Sequence, residues 1–299
     1  MRPLPIRIRS FAKVNLALAV LGGRGDGFHE IRTVFQSIDL HDELEIRPSA
    51  RLELRCENLA SVAMEENTVW RAAEALARAV SPPAGAEIIL KKRIPPGSGL
   101  GAGSSNAAAA LLGLCRFWRL EVPAAELRSI AAGIGADVPF FLQGGTALGI
   151  GRGEEIYPLP EIRPSHLVVV CPGIQIATAA AYRSLSLLLT SPRATHKIQG
   201  FCGRLSRLTD DAGCLAEIFN DFETSILPAY PAVKEAKDFL TERGATATLL
   251  SGSGSSVFGF FSDEESALAA SRSSSVRESW RVFPTKTLSR VAYFQSMFG

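Results

Sequence analysis

The stretch that most constrains this chain is 95–112, Pro-Pro-Gly-Ser-Gly-Leu-Gly-Ala-Gly-Ser-Ser-Asn-Ala-Ala-Ala-Ala-Leu-Leu. Glycines alternate at Gly97, Gly99, Gly101 and Gly103, and apolar residues follow at helical spacing at Leu111, Leu114, Cys115 and Trp118. The pattern predicts a glycine loop feeding a helix. A helix start leaves backbone N–H groups unpaired and carries partial positive charge, and glycines let the main chain come close to a ligand, so the stretch reads as a phosphate cradle. It is not a dinucleotide fingerprint, because the sixth position of G-x-G-x-x-G falls on Ser104 or Asn106 when counted from Gly99 or Gly101. It is not a P-loop either, since no Gly-Lys-Ser/Thr closes it. The plainer alternative is a flexible turn before a helix capped by Ser104 or Ser105.

At 299 residues the chain has room for two domains, and 46% apolar with 21% charged residues is the composition of a folded soluble protein. A formal charge of +2 leaves no basic face of the kind a nucleic-acid partner needs. The five cysteines, Cys56, Cys115, Cys171, Cys202 and Cys214, are odd in number, widely spaced and without a C-x-x-C pair, which argues against a disulfide scaffold or a zinc site. Cys115 and Cys171 sit in apolar surroundings and read as small core residues. Residues 1–11 carry Arg2, Arg7 and Arg9 without an apolar signal region, and no run of about 18 apolar residues occurs. A cytoplasmic protein with no membrane segment is the expectation.

From Ile6 to Leu21 the pattern alternates, with Val14, Leu16, Leu18 and Val20 on one side and Lys13, Asn15, Ala17 and Ala19 on the other. Such a strand aims Lys13 and Asn15 at one face, where either a site or plain solvent suits them. Residues 22–30 form a glycine-rich turn bearing Phe28 and His29, by themselves a loop anchor and a surface histidine. Strands are predicted at Thr33–Leu40, Glu43–Arg47, Arg51–Arg55 and Glu87–Lys92, and a helix at Asn67–Val80 with Asn67 as N-cap. Pro123 opens a helix to about Ile134. Asp137, within Gly-Ala-Asp-Val-Pro-Phe-Phe, is then either a helix N-cap or a carboxylate held in a pocket for chemistry. Strands follow at Thr146–Ile150 and His166–Cys171, with a turn at 149–154 between them. A helix start next places Thr178 and Tyr182 at i and i+4 on one face. A polar, proline-broken connection (Leu187–Lys197) precedes helices at about Cys214–Phe219 and Ala229–Arg243. The apolar runs of 246–261 enclose a second Gly/Ser turn and read as a hairpin, followed by a helix from Asp263 and a last strand at Val282–Leu288. No internal repeat is present.

The loop resembles the phosphate-loop motif of the GHMP kinases, the family of galactokinase, homoserine kinase, mevalonate kinase and phosphomevalonate kinase. Its Gly-x-Gly-Ser-Ser-Asn-Ala-Ala form is most similar to the branch acting on 4-diphosphocytidyl-2-C-methyl-D-erythritol. Phe-Ala-Lys-Val-Asn-Leu at 11–16 and the Gly/Ser turn at 251–256 resemble two further motifs of the family, in family order, so the likeness spans nearly the whole chain. It implies an α+β, two-domain fold: a ribosomal-protein-S5-like ATP-binding domain over 1–155 and a ferredoxin-like α/β-plait domain over 156–299, whose last strand is a candidate to return to the first domain.

The resemblance further implies an ATP-dependent kinase in which Lys13 and Asp137 are catalytic. Pro95, Pro96, Gly97, Ser98, Gly99, Leu100, Gly101, Ala102, Gly103, Ser104 and Ser105 would hold the phosphates of ATP. Asn67 would lie near the adenine, capping being its plainer role, and Lys92 near the nucleotide, a solvated strand-end lysine being the alternative. Asn15, Phe28, His29, Thr178 and Tyr182 would grip the acceptor, with Phe35 either beside them or in the core. Phe28 replaces a family tyrosine, which keeps a stacking face and loses a hydroxyl. Mg2+ would accompany ATP, with Ser104 or Ser105 offering a hydroxyl. The implied partner is the small-molecule acceptor, a cytidine diphosphate methylerythritol, with no nucleic acid and no membrane, in a monomer or weak homodimer. Another GHMP kinase and a non-catalytic nucleotide-binding module are the rival readings. A pure binder needs neither Lys13 nor Asp137.

Overall fold

The alternating stretch at the start of the chain becomes the spine of a sheet. In a computed structural model, which describes residues 4–57, 63–186, 200–203 and 217–298, β1 (Ile6–Gly23) pairs antiparallel along β2 (His29–Ser49). The sequence divides β2 into two strands, but the chain stays extended. Phe11 faces His41 while Ala12 faces Ile38, so a register shift absorbs Asp39 and Leu40 as a bulge and the polar interruption never becomes a turn. Beyond β2 lie β4 (Gly85–Lys91) and β3 (Glu53–Glu57) towards one end, and β5 (Thr146–Ile150) with β6 (Glu155–Pro158) towards the other. The two-residue β8 (Phe219–Asn220) runs parallel to β1 on its far side. A second sheet has the order β11 (Arg281–Lys286), β7 (His166–Cys171), β10 (Val257–Phe261), β9 (Ala247–Leu250), every neighbour antiparallel.

Three apolar layers follow from these faces. Helices α1 (Thr68–Val80), α2 (Ala102–Trp118), α3 (Ala124–Ile134) and α4 (Val138–Gln143) cover one face of the first sheet, with Phe11, Phe140, Phe141, Leu111 and Leu114 between them. The alanine run of α2 lets that helix lie low on the sheet. At Gly113 a Cβ would stand 2.1 Å from Ile8 Cδ1 and 2.8 Å from Ile46 Cδ1, so a larger residue there would have to displace both buried methyl groups. The two sheets pack through Val14, Leu16, Val34 and Ile38 against Leu167, Val169, Phe258 and Phe260. The outer face of the second sheet is covered by α5 (Thr178–Ser186), α6 (Glu223–Ala229), α7 (Pro231–Glu242) and α8 (Glu264–Ser271), around Val168, Val170, Phe222 and Leu240. Each large side chain sealed in these layers contributes about 1.5–3 kcal/mol.

Other predictions differ in detail. The helix expected at Ala229–Arg243 is present as Pro231–Glu242, opened by Pro231 at its first turn, while Ala229 closes a preceding helix, Glu223–Ala229, that the sequence reading did not predict. Of the helix expected near Cys214–Phe219, residues 214–216 lie outside the described residues and Phe219 belongs to β8. The connection Leu187–Lys197 also lies outside them. Over Arg281–Lys286 the last strand, β11, pairs with Cys171–His166 of β7, and just past its end the chain reaches the first sheet, where Thr287 bridges Ile38 and Leu288 N donates to Ser37 O at 2.9 Å. The following α9 (Arg290–Met297) buries Tyr293 and Met297 in the first core while the Tyr293 hydroxyl donates to Phe141 O at 2.8 Å. The four described cysteines are free, and burial pushes the Cys115 and Cys171 thiols up to about 11.

Candidate active site

A cavity of about 760 Å³ receives side chains from β1, the glycine loop, the start of α4, the turn after β1, α5 and the Gly/Ser turn of the β9–β10 hairpin. Lys13 and Asn15 project into it from β1, beside a bulge between Asn15 and Ala17. Lys13 Nζ donates to Asn15 Oδ1 at 2.7 Å, Asn15 Nδ2 to Thr33 Oγ1 at 2.7 Å, and Thr33 Oγ1 to Ala17 O at 2.8 Å. This relay anchors a mobile lysine to the backbone. The same ammonium lies 5.3 Å from the Phe35 ring centroid, so Phe35 is a core residue with one face on the site.

Asp137 occupies the N-cap position of α4 without capping it. Its backbone angles are helical (φ −82°, ψ −12°) rather than extended, and its carboxylate makes no bond to the helix amides. The carboxylate points into the cavity instead, 3.5 Å from Lys13 Nζ, with 30% of the side chain exposed against 4% for Lys13. Burial lowers the Lys13 pKa, and the charge and hydrogen bond of Asp137 work against that shift. One carboxylate open to a ligand beside one sequestered cation is an arrangement for moving a proton next to developing negative charge.

The loop 97–101 arrives as read, in left-handed conformation at Gly97, Gly99 and Gly101. A Cβ on Gly99 would stand 2.2 Å from Ser251 O, and one on Gly101 would stand 2.8 Å from Phe141 Cζ. The helix start has Gly101 at its N-cap and no side-chain cap, so neither Ser104 nor Ser105 plays the capping role. Ser105 turns inward, its hydroxyl donating to Phe11 O at 2.5 Å and lying 2.7 Å from Ser10 Oγ, whereas Ser104 lines the cavity. Ser98 Oγ is buried, finds no partner among the described residues and also lines the cavity, a hydroxyl that an anion's oxygen would satisfy. Leu100 is a core residue whose carbonyl accepts from Lys13 N at 3.0 Å, tying loop to strand. Pro95 and Pro96 lead into the loop and do not line the cavity.

Two residues expected near the nucleotide do not line this cavity. Lys92 does not line the cavity; its ammonium donates to Asp42 and, at 2.9 Å, to Asn106 Oδ1. Asp42 also accepts from the Arg93 and Ile94 N–H groups at 2.6 and 2.8 Å, and Asn106 Nδ2 from α2 donates to Ser10 Oγ at 2.8 Å. A lysine needed to neutralise a fully buried carboxylate is spent on structure, here on fixing the entry to the loop. Asn67 is the N-cap of α1, accepting from Val69 N at 2.9 Å, and is likewise outside the cavity lining.

The sequence reading missed how the second sheet holds the loop. Ser256 N donates to Ser98 O at 3.0 Å and Ser251 Oγ to Gly99 O at 2.9 Å, while Asn220 Nδ2 grips Leu250 O and Gly252 O at 2.8 and 2.7 Å. Asn220 sits on a strand of two residues, too short to leave any periodicity. At the other end of the cavity His29 stacks on Tyr182 with centroids 4.6 Å apart, and Tyr182 meets Phe222 edge to face at 4.8 Å. Thr178 lines the same end and its hydroxyl accepts from Ser253 Oγ at 3.4 Å. Phe28 is 53% exposed with the Arg152 guanidinium 4.9 Å from its ring centroid; Arg152 carried no sequence signal beyond a turn. Among the described residues no three His, Cys, Asp or Glu side chains gather as a metal site, and no helix is long and apolar enough to cross a membrane.

Comparison with known proteins gives the same picture from outside. The description "GHMP kinases N terminal domain" matches residues 67–145 and "GHMP kinases C terminal" matches residues 205–274. A 4-diphosphocytidyl-2-C-methyl-D-erythritol kinase of Solibacter usitatus is 44% identical over 265 residues, covering 88% of this chain and 83% of that protein. One of Chlorobium limicola is 41% identical, covering 88% and 91%. A crystal structure of 4-(cytidine 5'-diphospho)-2C-methyl-D-erythritol kinase superposes with a TM-score of 0.77 at 32% identity, covering 94% of this chain and 99% of that one. Homoserine kinase from Cytophaga hutchinsonii, at 20% identity and a TM-score of 0.72 over 95% of each chain, shares the fold.

Proposed function

The chain belongs to the GHMP kinases, among the 4-diphosphocytidyl-2-C-methyl-D-erythritol kinases, and from that footing we propose how its cavity works. It transfers the γ-phosphoryl group of ATP to the 2-hydroxyl of 4-diphosphocytidyl-2-C-methyl-D-erythritol, a step of non-mevalonate isoprenoid precursor synthesis. Phosphoryl transfer asks mainly for positioning and charge stabilisation. The backbone of 97–103 and the Ser98 hydroxyl hold the donor's phosphates; Asp137 accepts the proton of the attacking hydroxyl; Lys13, fixed by Asn15, stabilises charge on the transferring group. Phe28, His29, Thr178 and Tyr182 receive the cytidine end.

The observation that carries this reading is the Lys13–Asp137 pair, 3.5 Å apart, at the mouth of the glycine loop. Mg2+ bound with ATP would neutralise β- and γ-phosphate charge, and the Ser104 hydroxyl with the nucleotide's own oxygens is the donor set that suits it. We further propose the division into 1–155 and 156–299, a monomer or weak homodimer, and a cytoplasmic enzyme without nucleic-acid partners, the last supported by the near-zero net charge.

The test is an ATP-turnover assay over a panel of acceptors, comprising the cytidylylated methylerythritol, homoserine, mevalonate and a sugar. Turnover is expected with the first alone. Asp137→Ala abolishes it while ATP binding, measured by calorimetry, persists. Near-normal turnover in that variant removes Asp137 as the base, and phosphorylation of another acceptor alone removes the substrate assignment.

A further inference from the structure

Two cations outside the catalytic pair line the cavity at the end where the rings gather, Arg152 from the turn joining β5 to β6 and Arg183 beside Tyr182 on α5. Arg152 is held on two sides. Its backbone N–H and Nε donate to the Glu154 carboxylate at 2.6 and 3.1 Å, and the Phe28 ring takes the guanidinium face at 4.9 Å. Only a third of the side chain is exposed, yet its two terminal nitrogens donate to no acceptor among the described residues. Arg183 has no ion-pair partner among them either. A guanidinium oriented by one carboxylate and one ring, with its outer fork open to a cavity, matches the paired oxygens of a phosphate. The glycine loop already serves one set of phosphates, and an acceptor bearing a nucleoside diphosphate brings a second anion into the same cavity.

We propose that Arg152, assisted by Arg183, is the specificity-determining cation that binds the diphosphate of the acceptor, so that the site distinguishes a nucleoside diphosphate from its nucleoside. This rests on the acceptor reading above. Glu154 acts as its positioning residue.

The test is calorimetry on the full chain with a non-hydrolysable ATP analogue saturating the glycine loop, titrating cytidine and CDP in turn. The wild-type protein binds CDP about tenfold or more tightly than cytidine, as expected for one charge-assisted fork. Arg152→Gln brings the two within about threefold by weakening CDP alone, and Arg152→Lys, which keeps charge and loses the fork, falls between. In turnover the loss in Arg152→Gln falls on the acceptor's KM rather than on kcat or the KM for ATP. A variant that keeps the full preference for CDP overturns the proposal, as does one that loses cytidine and analogue binding equally, which marks a merely structural arginine. Wild-type binding of cytidine with no preference for CDP overturns this proposal and leaves the acceptor reading standing; binding of neither overturns both.

Discussion

Replacing Gly101 by alanine separates a glycine required by packing from one that is incidental. Gly101 has φ +71°, and a Cβ there would stand 2.8 and 3.0 Å from Phe141 Cζ and Cε2 and 3.1 Å from Lys13 Cγ. The left-handed backbone costs a non-glycine residue about 1–2 kcal/mol. The Phe141 ring is fully buried between α2 and the sheet and cannot swing away, so the overpacking adds about 1–3 kcal/mol. The stiffer unfolded chain returns about 0.4–1 kcal/mol. The net loss is about 1–5 kcal/mol, or a melting temperature lower by roughly 2–8 °C for a chain of this size. Thermal unfolding without nucleotide measures it, and because the crowded atoms include the Lys13 stem, the KM for ATP rises and kcat falls. Gly133→Ala is the matched control. It lies near the end of α3 with no atom within 4 Å of its would-be Cβ, so the same change is expected to stabilise by about 0.5–1 kcal/mol. If Gly101→Ala melts with the wild-type protein and binds ATP unchanged, the steric reasoning about the loop is wrong.

Lys13→Met is expected to abolish turnover and raise the melting temperature at pH 7. Burial lowers the folded-state pKa of Lys13 below 10.5, so the charged lysine is a stability deficit that is fully present below the folded pKa and disappears as pH rises to the unfolded value. The variant's advantage therefore shrinks between pH 7 and 10.5; melting curves showing it less stable at pH 7 refute the sign. Asp42→Ala leaves the Lys92 ammonium and the Arg93 and Ile94 N–H groups without their buried acceptor, and denaturant unfolding should show a loss of about 3–5 kcal/mol. A loss under about 1 kcal/mol, typical of an exposed pair, would show that the network is hydrated.

The glycine loop and the helix it feeds were legible because their conformation is local. Alternating glycines before an alanine run specify their own backbone, and Gly97, Gly99 and Gly101 take the left-handed angles that composition implies. Period-2 spacing put Lys13 and Asn15 on one side of β1 as found, but the bulge after Asn15 reverses the faces, so Leu18 joins them at the cavity while Ala17 and Ala19 share the inter-sheet core with Val14 and Leu16. Lys92 shows where such reading stops, because its buried partner Asp42 lies fifty residues earlier in the sequence, whereas Asn67 caps α1 as its place ahead of an apolar stripe predicts. Asp137 was ambiguous for a related reason: cap position and pocket position coincide in the sequence, and only its helical φ and ψ separate them. Asn220 and Arg152 act through partners distant in sequence or on a neighbouring loop, and neither belongs to a periodic element.

The contact between the two glycine-rich turns has an evolutionary consequence. Ser256 N to Ser98 O joins main chain to main chain, and Ser251 Oγ reaches a main-chain carbonyl, so most side chains around this seam are free to drift. Gly99 is not, because Ser251 O occupies the space a Cβ would need. The glycine is therefore dictated by a residue about one hundred and fifty positions downstream as much as by any nucleotide. Selection for folding alone, in a lineage that had abandoned catalysis, would go on preserving Gly99 after Lys13 and Asp137 had been lost, and a glycine-rich signature by itself is then a record of ancestry rather than of present chemistry.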